Sequence, residues 1–270
     1  MSALVTLPLV VAVIFVELAV GGAFLIWLLD RSGQAPAGFL RLTAAVNLAA
    51  AGVAALIPRI SPHAATLAGL DPDPLAAFGT GLAAVALLLA AHFVTTLLPS
   101  RDLRTIVAVA ALLAGVGTLG AAAVARPAAS GTAYDLFALL ALPVAALALG
   151  GSSAAMLLGH WYLVTPKLPT GPLQRAALVV AGAVVAQIGL AAVAFARGDL
   201  QTQLQGALVV AAGLRLGVGL LMTLGVALAA WWTAKTNTQS STGLLYVGLG
   251  TVLAGEISAR VIFFLQGVAI

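Results

Sequence analysis

Four charged residues stand inside runs that are otherwise apolar: Glu17, Arg215, Glu256 and Arg260. Glu256 and Arg260 share the run 243–270, GLLYVGLGTVLAGEISARVIFFLQGVAI, which is long enough to cross a bilayer. The acid precedes the base by four residues, the spacing at which two side chains meet on one helical face. Pairing lowers the cost of each charge in hydrocarbon without abolishing it, so such groups face the protein interior or a polar cavity. Beside them Gly248, Thr251, Gly255 and Ala259 form a stripe of small residues that lets a neighbouring helix approach closely. Two kinds of chemistry are open to this cluster. It can act as a polar clamp between helices, or one carboxylate can exchange protons with a bound hydrophobic redox molecule while an arginine stabilises developing negative charge. Arg260 removed alone would strand a buried carboxylate, whereas an isolated pair could be deleted together at less cost.

The elements that position these residues follow from composition. Hydrophobic residues make up 62% of the chain and charged residues 7%, more apolar surface than a water-soluble fold can hide. The sequence therefore predicts an all-α polytopic integral membrane protein in which residues 1–270 form a single transmembrane helical domain. Eight spans are expected, at 3–29, 38–58, 75–98, 104–125, 134–165, 173–196, 205–234 and 243–269. The first is read as a retained helix, because it lacks a basic leader and a cleavage site. The 58–74 connection, with Asp71, Pro72, Asp73 and Pro74, reads as an extramembrane loop with a turn. A net charge of +4 spread over scattered basic residues forms no stripe for nucleic acid. With no cysteine, the chain has no disulfide, no thiolate metal site and no cysteine-bound iron–sulfur cluster of its own.

Loop charges orient the bundle. Arg31, Arg41, Arg101, Arg104, Lys167, Arg175 and Lys235 fall on one side, against Arg59, Arg126 and Arg197 on the other, which assigns the first group to the cytoplasm. Both termini are then expected outside, with Asp71, Asp73, Asp135 and Asp199. At about 1.5 Å of rise per residue, Glu17, Arg215, Glu256 and Arg260 share one layer near mid-membrane, and Gln187 of the sixth span lies at similar depth. The layer is formally neutral, as groups that compensate one another away from water should be. Gly21, Gly22, Gly213, Gly217 and Gly219 flank it and leave space for a close helix or a ligand.

Two histidines form a second constellation, His92 late in the third span and His160 at the end of the fifth, before Pro166. Axial ligation of haem b needs both rings on one iron, and their depths differ by roughly 7 Å, so neither is assigned to iron. His63 belongs to the outer loop. Trp161 and Tyr162 suit the membrane interface. The fourth span, with no charge and many small residues, reads as packing, and Pro8 and Pro143 are expected to bend their helices. Arg41 is close enough to its helix end to reach water, with Asn47 a candidate for burial. No phosphate loop, His-Glu-x-x-His pattern or internal repeat is evident.

The segment Gly255-Glu256-Ile257-Ser258-Ala259-Arg260-Val261-Ile262-Phe263-Phe264 resembles the last-helix pattern Gly-Glu-Leu/Ile-x-x-Arg-x-x-Phe-Phe/Tyr of DmsC-type membrane anchors. These belong with the NrfD/PsrC-like membrane subunits of molybdopterin oxidoreductases. Eight helices, external termini and a length near 270 residues are similar to that family. The resemblance implies a multi-pass subunit of the cytoplasmic (inner) membrane that exchanges electrons between quinone or quinol and an iron–sulfur subunit, itself docked to a molybdopterin-type catalytic subunit. It extends to Glu256 and Arg260 alone. Glu17, Arg215, Gln187, His92 and His160 rest on the reading of the residues. Transport or a proton pathway, and a haem-b-binding membrane cytochrome, remain the alternatives.

Overall fold

The computed structural model describes residues 2–126, 136–165, 168–198 and 204–270, with side chains in the first stretch from Val5 onward. The helices are α1 (Ser2–Arg31), α2 (Ala37–Leu56), the short α3 (Pro62–Leu67), α4 (Pro72–Leu97), α5 (Arg101–Val124), α6 (Leu136–Val164), α7 (Gly171–Ala196), α8 (Ala207–Gly213), α9 (Thr223–Thr233) and α10 (Thr238–Gln266). Residues Leu214–Met222 join α8 to α9 as a π-helical segment, so these three pieces make one span. Among the described residues eight elements are long and apolar enough to cross a membrane, and the chain is an all-α, multi-pass membrane bundle.

Side-chain caps set several of the helix ends. Asp71 accepts from the Asp73 N–H at 3.1 Å, and Pro72 opens α4 where no amide donor is needed. The acidic, proline-rich end of the 58–74 connection is thus the first turn of α4, and the connection carries α3 as well. Asn237 caps α10 by accepting from Ser240 N–H at 3.0 Å, which starts that helix five residues before the expected 243. Gly267, at φ +74°, ends it, a conformation open to glycine without a Cβ clash.

The spans divide into two groups of four. The first comprises α1, α2, α4 and α5, and the second comprises α6, α7, the α8–π–α9 span and α10. α1 joins them, packing on α6 and α10 as well as on its own group, and it is the most enclosed span. Lipid is as apolar as leucine, so this association rests on close packing more than on removal of surface from water. The tightest seam is between Gly21 of α1 and Gly150 of α6: a Cβ on Gly21 would overlap the Ala146 carbonyl, and one on Gly150 would overlap α1 backbone.

One end of the bundle gathers arginines. Arg104 binds Asp30 through two bonds, Nε–Oδ2 at 2.7 Å and Nη2–Oδ1 at 3.0 Å, while Arg101 donates to the Asp30 carbonyl. Arg41 is exposed and its Nε reaches Thr96 O at 3.4 Å. At the other end Arg59 donates to Gly79 O and Arg126 to Gly267 O. Lys167, Pro166, Asp135 and Asp199 lie outside the described residues.

Candidate functional site

The charge layer assembles where the two groups of helices meet. α1 contributes Glu17, α7 Gln187, the π segment Arg215, and α10 Glu256 and Arg260, all at most 2% exposed. Glu256 is the acceptor at the centre. Its Oε1 receives Gln187 Nε2 at 2.6 Å and Arg215 Nη1 at 2.8 Å, and its Oε2 receives Arg260 Nη2 at 3.1 Å. Arg215 also donates from Nε to Ile270 O at 3.1 Å. Arg260 sits over the Phe263 ring, 5.8 Å from its centroid, a favourable place for a cation.

Glu17 is held differently. Arg260 Nε lies 3.2 Å from Glu17 Oε1, close enough for strong attraction. Their angle is not that of a hydrogen bond, and neither carboxylate oxygen of Glu17 has a hydrogen-bond partner among the described residues. One buried acid is therefore fully coordinated and the other is held by charge alone. Gln187 Oε1, too, has no partner there.

The local fold explains how these groups reach one another. Gly219 and Gly255 meet backbone to backbone, so that a Cβ on either would collide with the Cα of the other. This brings the π segment against α10 one residue before Glu256. The small-residue stripe on α10 faces the same span: Gly248 meets Val226, and Thr251 accepts from or donates to Thr223 at 2.9 Å. Val218 O, five residues back, lies 3.2 Å from Thr223 Oγ1 as an alternative acceptor for the same hydroxyl proton. The seventh span was expected over 205–234, with no change of helix type foreseen. The span is present at Ala207–Thr233, with wider turns over Leu214–Met222, and π segments inside α-helices recur at functional sites.

The histidines are not brought together. His92 is buried and borders a small cavity with Ile26, Trp27, Asp30 and Arg104. His160 is exposed, with Nδ1 3.0 Å from the Tyr246 hydroxyl. The two rings therefore have different surroundings, one buried beside α1 and the other exposed beside α10. Among the described residues no three His, Asp or Glu side chains group as metal ligands.

A cavity of about 320 Å³ opens at the end opposite the arginine cluster, and Pro8, Leu9, Ala12, Phe78 and Leu82 line it with Arg59. Sequence reasoning missed this cavity, since loop and helix residues far apart in the chain build it. It also missed the Thr223–Thr251 hydrogen bond and the buried Trp27 Nε1, which has no hydrogen-bond partner among the described residues. The Thr-x-x-x-Asn spacing of Thr43 and Asn47 and the Ser152-Ser153 pair were signals available on spans otherwise read as packing. No family model, curated protein or solved structure matches this chain.

Proposed function

We propose that this chain is the quinone-reactive membrane anchor of a respiratory oxidoreductase in the cytoplasmic membrane, passing electrons between quinone and an iron–sulfur subunit docked to a molybdopterin-type catalytic subunit. Reduction of a quinone to a quinol takes two electrons, supplied by the iron–sulfur partner, and two protons. Glu17 is the proton-exchanging group, with Arg260 beside it to offset the charge of its carboxylate. The observation that carries this reading is the contrast between the acids: Glu256 accepts three hydrogen bonds, whereas Glu17 accepts none. A clamp gains most when both carboxylates are bonded, while a proton carrier must be free to change state. Glu256, which accepts three hydrogen bonds, suits the role of a fixed anion.

The apolar cavity of about 320 Å³ supports the quinone part, being within the size range of small-molecule sites and lined by apolar side chains that suit a quinone's isoprenoid tail. Its Ala12 lining lies five residues from Glu17, about 7.5 Å along α1. The π segment at Arg215 favours a second reading, a proton-linked transporter, because interrupted helices carry substrate sites in such proteins.

Purification from native membranes in mild detergent separates the two. The anchor reading expects a co-purifying iron–sulfur subunit with its electron paramagnetic resonance signal, a molybdopterin polypeptide and extractable quinone. Isolation of the chain without redox-active partners overturns it. In the assembled complex Glu17→Gln is expected to lower quinol-linked electron transfer roughly 100-fold while leaving assembly intact. The orientation is part of the proposal: reporters fused after Ile270 and within 58–71 should score as external and one beside Lys235 as cytoplasmic, and the reverse pattern would refute it.

A further inference from the structure

Two arginines at the arginine-rich end of the bundle stand without a counter-charge among the described residues. Arg31 is the last residue of α1 and Arg175 the fifth of α7, and both are exposed. Neither pairs with a carboxylate there. The acids of this end lie elsewhere: Asp30 is bound twice by Arg104, and Asp102 belongs to the first turn of α5. The first turn of α7 holds no acid. Uncompensated guanidinium groups beside apolar surface attract an anion, and basic pockets between membrane helices are where anionic lipid headgroups settle.

The fold leaves space beside both arginines. α1 and α7 each pack closely on α6 but touch one another sparingly, so a groove opens between them. Leu28, Arg31 and Ser32 line it from the end of α1, and Arg175, Leu178 and Val179 from the start of α7, around a volume of about 510 Å³. The two spans run in opposite directions, so on each the arginine stands nearer the end of the bundle and the leucine farther in. Leu28 lies three residues inward of Arg31 and Leu178 three inward of Arg175, about 4.5 Å along each axis. This order, charge at the rim and apolar side chains below, is that of an amphiphile. A free phosphate would engage the arginines and leave Leu28, Leu178 and Val179 uncovered, while a neutral hydrocarbon would do the reverse. A phosphodiester that carries acyl chains meets both. The planar fork of N–H groups on each guanidinium matches phosphate oxygens, and Arg31 is held for this by the Trp27 ring, whose centroid lies 5.6 Å from its Cζ.

We propose that the α1–α7 groove binds one anionic phospholipid, with its phosphodiester at Arg31 and Arg175 and its acyl chains against Leu28, Leu178 and Val179. The bound lipid bridges the two groups of helices, since α1 belongs to the first and α7 to the second. It therefore stabilises their association as well as filling the groove. This site is independent of the electron- and proton-transfer roles proposed above, because none of its lining residues belongs to the charge layer.

The test purifies the full chain in mild detergent, strips it of lipid, and titrates it with dioleoylphosphatidylglycerol, dioleoylphosphatidylcholine or inorganic phosphate, with bound copies counted by native mass spectrometry. One copy of phosphatidylglycerol should bind about tenfold or more tighter than phosphatidylcholine of the same chains and raise the unfolding temperature, and inorganic phosphate should not displace it. Arg31→Gln combined with Arg175→Gln should weaken that copy roughly thirtyfold, as each arginine near a membrane surface is worth about fivefold. Arg41→Gln removes an exposed arginine at the same end but outside the groove, and should change the affinity by less than about twofold. Because Arg31 and Arg175 are exposed and unpaired, the double variant should unfold at the parent temperature in lipid-free detergent. Should it fail to fold, the comparison of the two lipids on the parent chain still decides. Equal binding of the two lipids overturns the site, as does parent-like affinity in the double variant. An equal loss in Arg41→Gln would show diffuse attraction by the whole basic end instead of a groove. Displacement of phosphatidylglycerol by inorganic phosphate would show a site for a free anion and refute the lipid.

Discussion

Arg260→Leu is expected to be the most damaging single substitution in the layer, lowering the stability of the folded bundle by roughly 3–5 kcal/mol. Arg260 is the cation shared by both acids, 3.2 Å from Glu17 Oε1 and 3.1 Å from Glu256 Oε2. Its loss leaves two sealed carboxylates and the single guanidinium of Arg215, which is bonded to Glu256 and to the Ile270 carbonyl. The cost arises from desolvated charge left without compensation, which exceeds the net value of the pair that was present. Glu256→Gln should cost less, because glutamine keeps an oxygen for Arg215 and Gln187.

Rescue experiments discriminate further. An isolated Glu256–Arg260 pair would be repaired by replacing both with leucine, but Glu256 also accepts from Arg215 and Gln187. That double variant strands Arg215 and leaves Glu17 with no cation, so little stability should return. Glu17→Gln with Arg260→Gln should recover most of the loss, since the neutral Arg215–Glu256–Gln187 unit remains bonded. Thermal unfolding in detergent, read by size-exclusion of the surviving fraction, ranks the four variants. Equal recovery by the two double substitutions would sink this account of the layer. In the assembled complex the Glu17/Arg260 variant should fold and still transfer electrons slowly, as it has lost the proposed proton carrier.

Gly219→Ala and Gly255→Ala are each expected to destabilise the bundle by roughly 1–3 kcal/mol, against the usual trend that alanine favours a helix over glycine by about 1 kcal/mol. The added methyl meets backbone, which no rotamer change relieves, so the π segment and α10 must separate. Arg215 and Glu256 stand on either side of that contact, and their 2.8 Å bond lengthens as the helices part. Gly217→Ala and Gly250→Ala provide the comparison, because nothing lies within 4 Å of a Cβ at either position. These two should be neutral or stabilising. The pair of substitutions at the contact should be less than additive, since the first already opens the gap. Four equal effects would show that the Gly219–Gly255 seam does not hold the site.

Membership in the layer was legible before any fold was known. Depth in a membrane helix follows from residue count and helical rise, so Glu17, Gln187, Arg215, Glu256 and Arg260 could be placed at one level from the spans alone. Composition determined the eight spans for the same reason: hydrocarbon tolerates few polar residues over that length, whatever the neighbours. The i,i+4 pair of Glu256 and Arg260 was equally local. Helix ends were less legible where a cap such as Asp71 or Asn237 extended a helix beyond its apolar run. Rotation of each helix about its axis is another matter, because rise carries no information about azimuth relative to a neighbour. Only the Gly21–Gly150 and Gly219–Gly255 seams decided that Glu256 would gather Arg215, Arg260 and Gln187 while Glu17 kept a charge contact and no hydrogen bond. The π segment depends in the same way on contacts across helices, among them Thr223 with Thr251. The separation of His92 from His160 also depends on which sides of α4 and α6 turn inward, and side-chain direction across a bundle is a property of packing between helices.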